Sequence, residues 1–171
     1  MKIEKIPLQS GHRRRKGQPQ FIVLHHTHTA TAADTRRVLT GKGLSTHYEI
    51  EQDGSVYEYF DPASIVTYHA GKFNGLSIGI DATHVHRAPW PEIQVKATHN
   101  LIKRLLDRFG LPVKVAPEGM RFATPEAVVA SGYTVIRHNN VRNTICPDGF
   151  PLDEKRLSLK ICSECGQSVE K

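Results

Sequence analysis

The sequence predicts an α/β fold, one domain with a central mixed β-sheet and helices on its faces, and three stretches carry that expectation. Phe21, Ile22, Val23 and Leu24 form an unbroken apolar run with two β-branched members, which suits a strand covered on both faces. Residues 46–52 and 55–60 are β-prone runs separated by Asp53-Gly54, a dipeptide that strongly marks a tight hairpin. Between 92 and 109, Ile93, Ala97, Leu101, Leu105 and Phe109 recur at helical spacing, flanked by Ile102 and Leu106. One helix therefore presents an apolar stripe to the sheet. At 171 residues the chain is long enough for one domain with its own core, and no shift in composition divides it.

In chain order, residues 1–19 read as an irregular basic arm broken by Gly11, Gly17 and Pro19. After the strand at 21–24, Thr29 or Thr31 is placed to cap a helix through Ala32, Ala33, Arg36, Arg37, Val38 and Leu39, which Gly41 and Gly43 end. Beyond the hairpin, residues 65–68 read as a short strand before His69-Ala70-Gly71, and residues 76–81 as another that ends on an acid, Asp81. The long helix begins after Pro89 and Pro91 and stops at Gly110 and Pro112. Residues 113–131 lack a clear period: Pro117-Glu118-Gly119 is loop-like, while Thr124-Pro125-Glu126-Ala127 has the form of a helix cap. These residues are expected to shape access to a site. A strand then leads to His138, and a last short helix is expected over residues 152–161. The chain has no internal repeat and no low-complexity segment.

The formal charge is +6, and His12, Arg13, Arg14, Arg15 and Lys16 stand in a row. Such a run suits a polyanion, either nucleic acid or an anionic cell envelope. No aromatics interleave it to provide the stacking platforms of a single-strand binder, so a solvated arm is the plainer account and no nucleic-acid partner is expected. No stretch is apolar for long enough to span a bilayer, so no membrane partner is expected either. The first seven residues carry early charge and no apolar signal core, from which cytoplasmic synthesis without a signal peptide is expected. The three cysteines, Cys146, Cys162 and Cys165, are an odd number and argue against a disulfide framework. Cys162 and Cys165 form a lone C-x-x-C in a C-terminal tail, residues 162–171. A structural account leads there, with metal and redox roles open.

Chemistry gathers where the strands end. The apolar run at 21–24 ends in His25-His26, and the strand before 138 ends in His138, with Cys146 eight residues later ahead of Pro147-Asp148-Gly149. Imidazole and thiolate are good zinc ligands, and a catalytic zinc keeps three protein ligands and one open position. From the residues alone His25 and His26 are equal candidates, because they point to opposite faces of a strand. His84-Val85-His86 alternates so as to place both imidazoles on one face, although a surface loop is the plainer account. Trp90, the sole tryptophan, suits either sugar stacking or packing at the helix entry.

Five motifs in order resemble the zinc N-acetylmuramoyl-L-alanine amidases, the family that includes phage amidase lysozymes, anhydromuropeptide amidases and peptidoglycan recognition proteins. They are Ile22-Val23-Leu24-His25-His26-Thr27, Ser45-Thr46-His47-Tyr48 with Asp53-Gly54, His69-Ala70-Gly71 with Asn74, Ser77-Ile78-Gly79-Ile80-Asp81, and His138 through Cys146-Pro147. The resemblance implies a zinc cleft at the strand ends, with His25, His138 and Cys146 as metal ligands and residues 20–161 as the amidase domain. It implies Asp81 as general base, where anhydromuropeptide amidases carry a glutamate one methylene longer. It implies Thr144 as a donor to the oxyanion, as in some recognition amidases, where other members have lysine. The tyrosine that two branches place at Thr46 is missing, with Tyr48 as a substitute. His47, His69, Tyr48 and Asn74 are the substrate-binding candidates.

The reading is therefore hydrolysis of the amide between N-acetylmuramic acid and L-alanine by a zinc-dependent monomer whose partner is peptidoglycan or a muropeptide. A phage endolysin acting on the cell wall is favoured by the basic arm and the lack of a separate wall-binding domain. A cytoplasmic muropeptide-recycling amidase is the alternative setting. A non-catalytic muropeptide-binding module is the rival from another class, and a nucleic-acid-binding zinc protein rests only on residues 13–16 and the C-x-x-C.

Overall fold

The computed structural model describes residues 2–85, 87–147 and 149–158, together with the backbone of 160–161 and 168–169. Strands β1 (Ile3–Lys5), β3 (Phe21–His26), β4 (Tyr48–Ile50), β5 (Val56–Glu58), β7 (Ser77–Ala82) and β8 (Val135–Arg137) form one six-stranded sheet in the order β1-β5-β4-β7-β3-β8. Neighbours are parallel except β4 and β5, the hairpin pair, so the sheet is mixed. β3 lies between β7 and β8 with all six residues buried, which is why its sequence is apolar without alternation.

The two faces of β3 serve two cores. Ile22 and Leu24 meet Ile78, Ile80, Tyr48 and Ile50 beneath helix α2 (Glu92–Phe109), whose Leu101, Ile102, Leu105 and Leu106 are buried there. The expected stripe is present, except that Ile93 is 58% exposed. Gly110 ends α2 at φ 63, a left-handed cap that costs glycine little. On the opposite face, Phe21, Val23 and Ile136 pack with Phe73, Ala116, Phe122 and Val128. Residues 113–131 supply part of this second cover, including helix α3 (Pro125–Ser131), whose cap Thr124 accepts a bond from Ala127 N at 3.2 Å. Helix α1 (Ala32–Gly41) follows β3, capped by Thr31, which accepts from Asp34 N.

The arm is not irregular. β1 lies parallel to β5, and β2 (His12–Arg14) pairs antiparallel with β6 (Ile65–Thr67). Arg15 is buried and donates to the carbonyls of Ile65, Gly75 and Ser77 at 3.1, 2.7 and 2.7 Å. One member of the basic run is therefore a tie between β2, β6 and the segment before β7, rather than a solvated charge. Burial, with Arg13 nearby, brings its pKa down to about 10. Such three-residue strands escape a sequence reading because backbone ladders hold them and their side chains show no apolar alternation.

The hairpin strands are shorter than residues 46–60 suggest. Tyr59 N and Phe60 N both donate to His47 O, a bulge that ends the ladder. The last helix spans only α4 (Glu154–Ser158), and Lys160–Ile161 pairs instead with Ser168–Val169. Cys162, Cys165 and His86 lie outside the described residues. Among the described residues no helix is long and apolar enough to cross a membrane.

Candidate metal centre and cleft

Strand alternation decides what meets at the end of β3. His25 and Asp81 are register partners on adjacent parallel strands, and Asp81 is in turn the partner of Glu49 on β4, so their side chains share one face. That face is the one carrying Phe21 and Val23. His26 turns to the other, where its Nε2 lies 2.7 Å from Nε2 of His28, a residue held at φ 56. The backbone keeps His26 in contact with the site, because its N–H donates to Cys146 Sγ at 3.1 Å.

The third element arrives through the loop after β8. His138 begins a short 3-10 turn, His138–Asn140, and Asn139 N donates to Cys146 O at 2.7 Å, closing the loop so that Cys146 returns beside His138. Asn140 locks this turn: its Oδ1 accepts from Arg137 N at 2.7 Å, and its Nδ2 donates to Pro117 O and Met120 O at 3.1 and 2.8 Å. The eight-residue spacing read from the sequence is thus the length of a closed loop. His25, His138 and Cys146 each bring one donor atom into a group within 4.8 Å of one another, and such a group can hold a metal ion.

The surroundings suit that use. Burial drives the pKa of His25 far down, reinforced by His138, His69 and His26, and burial with Arg142 brings His138 down to about 4. Both imidazoles are therefore neutral with lone pairs to give. His138 Nε2 is buried and has no hydrogen-bond partner among the described residues, a deficit that metal coordination would relieve. Burial pushes the Cys146 thiol up to about 12, with His26 N–H opposing and Asp81 adding to the rise. Asp81 itself is raised well above the usual carboxylate range by burial and by Glu49. Two nitrogens and a sulfur around one point, with an unpartnered imidazole nitrogen, fit a divalent metal that accepts mixed nitrogen and sulfur ligands.

The donors open into a cleft of about 270 Å³. Asp81, Thr144, His69 and the three donors belong to its polar lining, and Val38, Leu39 and Leu44 to its apolar lining, with Tyr68 beside them. Thr144 Oγ1 accepts from Cys146 N at 3.3 Å, which leaves its own proton to donate. None of residues 113–131 is in this lining; Ala116, Phe122 and Val128 pack in the second core, and Arg121 donates to Arg142 O in the loop before Cys146.

Three of the substrate-binding candidates stand outside the cleft lining. Tyr48 is buried in the core under α2, and its hydroxyl donates to Glu58 at 3.0 Å. It points away from the donors and cannot replace a tyrosine at Thr46, itself fully buried. His47 is fully buried on the same sheet face, beside β7 and β6: its Nδ1 accepts from Gly79 N at 2.9 Å, and its Nε2 lies 3.1 Å from Ile65 O. Asn74 Oδ1 accepts from His69 N and Ala70 N at 3.2 and 2.6 Å, which shapes a turn. His69 does line the cleft, where its Nδ1 is 3.0 Å from His25 Nε2. His84 stacks on Trp90 with centroids 3.6 Å apart, and Phe150 meets the same indole edge-on at 4.8 Å, so Trp90 packs rather than presenting a free sugar platform.

One buried acid beside the site escaped the sequence reading. Glu49 is completely buried behind Asp81, accepts from Thr83 at 3.0 Å and from Tyr59, and is raised to about 7 by burial against the opposing bonds of Thr35, Tyr59 and Thr83. An acid inside a β-prone run was the available signal, but alternation alone sends it to solvent.

Comparison with known proteins identifies the fold and the family. The fold is similar to that of the N-acetylmuramoyl-L-alanine amidase LysC from Clostridium intestinale, with TM-score 0.64 and 20% identity over 88% of this chain and 92% of that one. It is similar to the Ph2119 endolysin from a Thermus scotoductus bacteriophage, with TM-score 0.64 and 22% identity over 91% and 96% of the two chains. It is also similar to Drosophila PGRP-LB, with TM-score 0.59 and 18% identity over 87% and 89%. No curated protein sequence matches the chain. The profile of N-acetylmuramoyl-L-alanine amidase matches residues 15–149, which contain β3, β7, β8 and all three metal-type donors, and the chain belongs to that amidase family.

Proposed function

We propose that this amidase cleaves the amide between the lactyl group of N-acetylmuramic acid and L-alanine in peptidoglycan, with a zinc ion held by His25, His138 and Cys146. The observation that carries the proposal is the convergence of these donors, among them an unpartnered His138 Nε2, in the lining of a cleft. Zinc, when bound, supplies Lewis acidity toward water and the scissile carbonyl. The protein's own groups do the rest. Asp81, on the same face as His25, takes the proton of the attacking water and returns it to the leaving amine; burial and Glu49 raise its basicity for both tasks. Thr144 donates its free hydroxyl proton to the oxygen that gains charge. The apolar side chains of the lining, Val38, Leu39 and Leu44, help to exclude water from the bound amide.

A cell-wall lytic enzyme of the endolysin kind is the setting we favour, since the fold is similar to that of a bacteriophage endolysin over nearly the whole of both chains. Purified protein is to be incubated with peptidoglycan, with and without a chelator, while free L-alanine amino termini are counted. Chelator-sensitive release is expected. One equivalent of bound zinc with no release would refute the enzyme reading and leave a muropeptide-binding module.

A further inference from the structure

We infer that His69 is a positioning residue: it holds His25 in the tautomer whose Nδ1 is bare, and so selects the nitrogen that His25 offers to a metal. This rests on the proposed zinc centre. The direction of the hydrogen-bond chain is set from its far end. The carbonyl of Phe73 can only accept, and Ser77 Oγ, 2.8 Å away, gives it its single proton. Ser77 Oγ must then accept from His69 Nε2 at 3.1 Å. A neutral imidazole carries one N–H, so His69 Nδ1 is an acceptor and receives the proton of His25 Nε2 at 3.0 Å. Nδ1 is the nitrogen of His25 that remains.

The surroundings are built for this chain. A Cβ at Gly79, on the neighbouring strand, would stand 2.7 Å from Cγ and 2.9 Å from Nδ1 of His69, so only glycine leaves room for the ring. His47 does not compete for it, because its Nδ1 accepts from Gly79 N and lies 2.9 Å from Thr67 Oγ1, while Ile65 O holds its Nε2. Asn74 pins the backbone of His69. His47, His69 and Asn74 thus form a scaffold behind one ligand. Metal-bound histidines generally donate their second N–H to a fixed acceptor, and loss of that acceptor costs about 10–100-fold in metal affinity. Here the acceptor is another imidazole whose own proton is committed elsewhere.

The test begins on metal-free protein labelled with nitrogen-15 in histidine. Long-range proton–nitrogen spectra are expected to show His25 protonated at Nε2; protonation at Nδ1 in the wild type overturns the inference. Zinc affinity follows in folded variants. His69→Ala is expected to weaken binding about 10–100-fold, and Gly79→Ala to act in the same direction without altering either imidazole. His69→Asn, whose Oδ1 can accept near the position of Nδ1, is expected to recover most of the loss, while His69→Leu fills the space and does not. Leucine performing as well as asparagine would mean a packing role and would also overturn the inference. Because the spectra need no metal, a wild type that takes up no zinc refutes the proposed centre, whereas a wrong tautomer refutes the His69 chain.

Discussion

Zinc uptake by this chain is expected to release one proton from Cys146, and the structure sets the size of the effect. Without metal the thiol is held at about 12, while His138 lies at about 4 and His25 is well below its ordinary value. Between those limits both imidazoles are already neutral and the thiol is still protonated, so the ligand set loses the thiol proton and no other. Apparent affinity should then rise tenfold per pH unit, about 1.4 kcal/mol at each step. From pH 6.5 to 8.5 the gain is about 100-fold, or roughly 2.7 kcal/mol. Asp81 stands near Cys146 with its own raised carboxyl, so the measurement belongs in Asp81→Asn, where the thiol alone can contribute. Competition against a chelator of known affinity gives the slope, and calorimetry in buffers of different ionisation enthalpy counts the protons. Cys146→Ser should lose both the slope and the tight binding. A slope of zero in Asp81→Asn would mean that Cys146 is no ligand or is already a thiolate, and would defeat the reasoning; water on the zinc, whose pKa falls to about 7, can only steepen the slope.

Three other predictions follow from the same face of the sheet. Asp81→Asn should keep one equivalent of zinc yet lower turnover on peptidoglycan by about 100-fold or more, as loss of a general acid–base does; near-wild-type turnover would return Asp81 to a structural role. Thr144→Val should lower kcat by about 100-fold, the low end for an oxyanion donor, with little change in KM; an effect on KM alone would place Thr144 in binding. Glu49→Gln should change how stability depends on pH. The folded pKa of Glu49, about 7, exceeds the 4.5 of a free glutamate, so the native state holds this proton more tightly than the unfolded chain. Its stabilising effect is complete below 4.5 and disappears as pH rises through 7, a difference on the order of 3 kcal/mol. Denaturant unfolding of Glu49→Gln between pH 5 and about 8 should lack this decline, and an identical pH profile would show that Glu49 is ionised when buried.

Much of the architecture was legible because periodicity is local. The unbroken apolar run of β3, the Asp53-Gly54 hairpin and the stripe of α2 each announce an element through its own spacing, and together they imply a mixed sheet with a helix across it. The same local reading found two histidines at strand ends and a cysteine in the following loop, and these side chains converge. What escaped was held by contacts with no local period. β1 and β2 attach through backbone ladders, and Arg15 ties together carbonyls fifty or more residues away. No pattern in residues 1–19 records such partners.

The sequence by itself therefore determined the elements that carry a local period, the family motifs and the chemical character of the donors, because residue type and spacing act within a few residues. Tertiary structure decided which donors face one another. Strand register placed Asp81 beside His25 and Glu49 behind Asp81, while alternation turned His26 away and buried Tyr48 under α2. A side chain two positions along a strand keeps its face and one position along changes it, so a correct motif does not say which of its members reach the cleft. His47, His69 and Asn74 were legible as a group near the site, but their division into support and lining depended on space left by Gly79 and on the direction of a hydrogen-bond chain ending at Phe73. Those are relations between strands and loops, and they exist only once the sheet has formed.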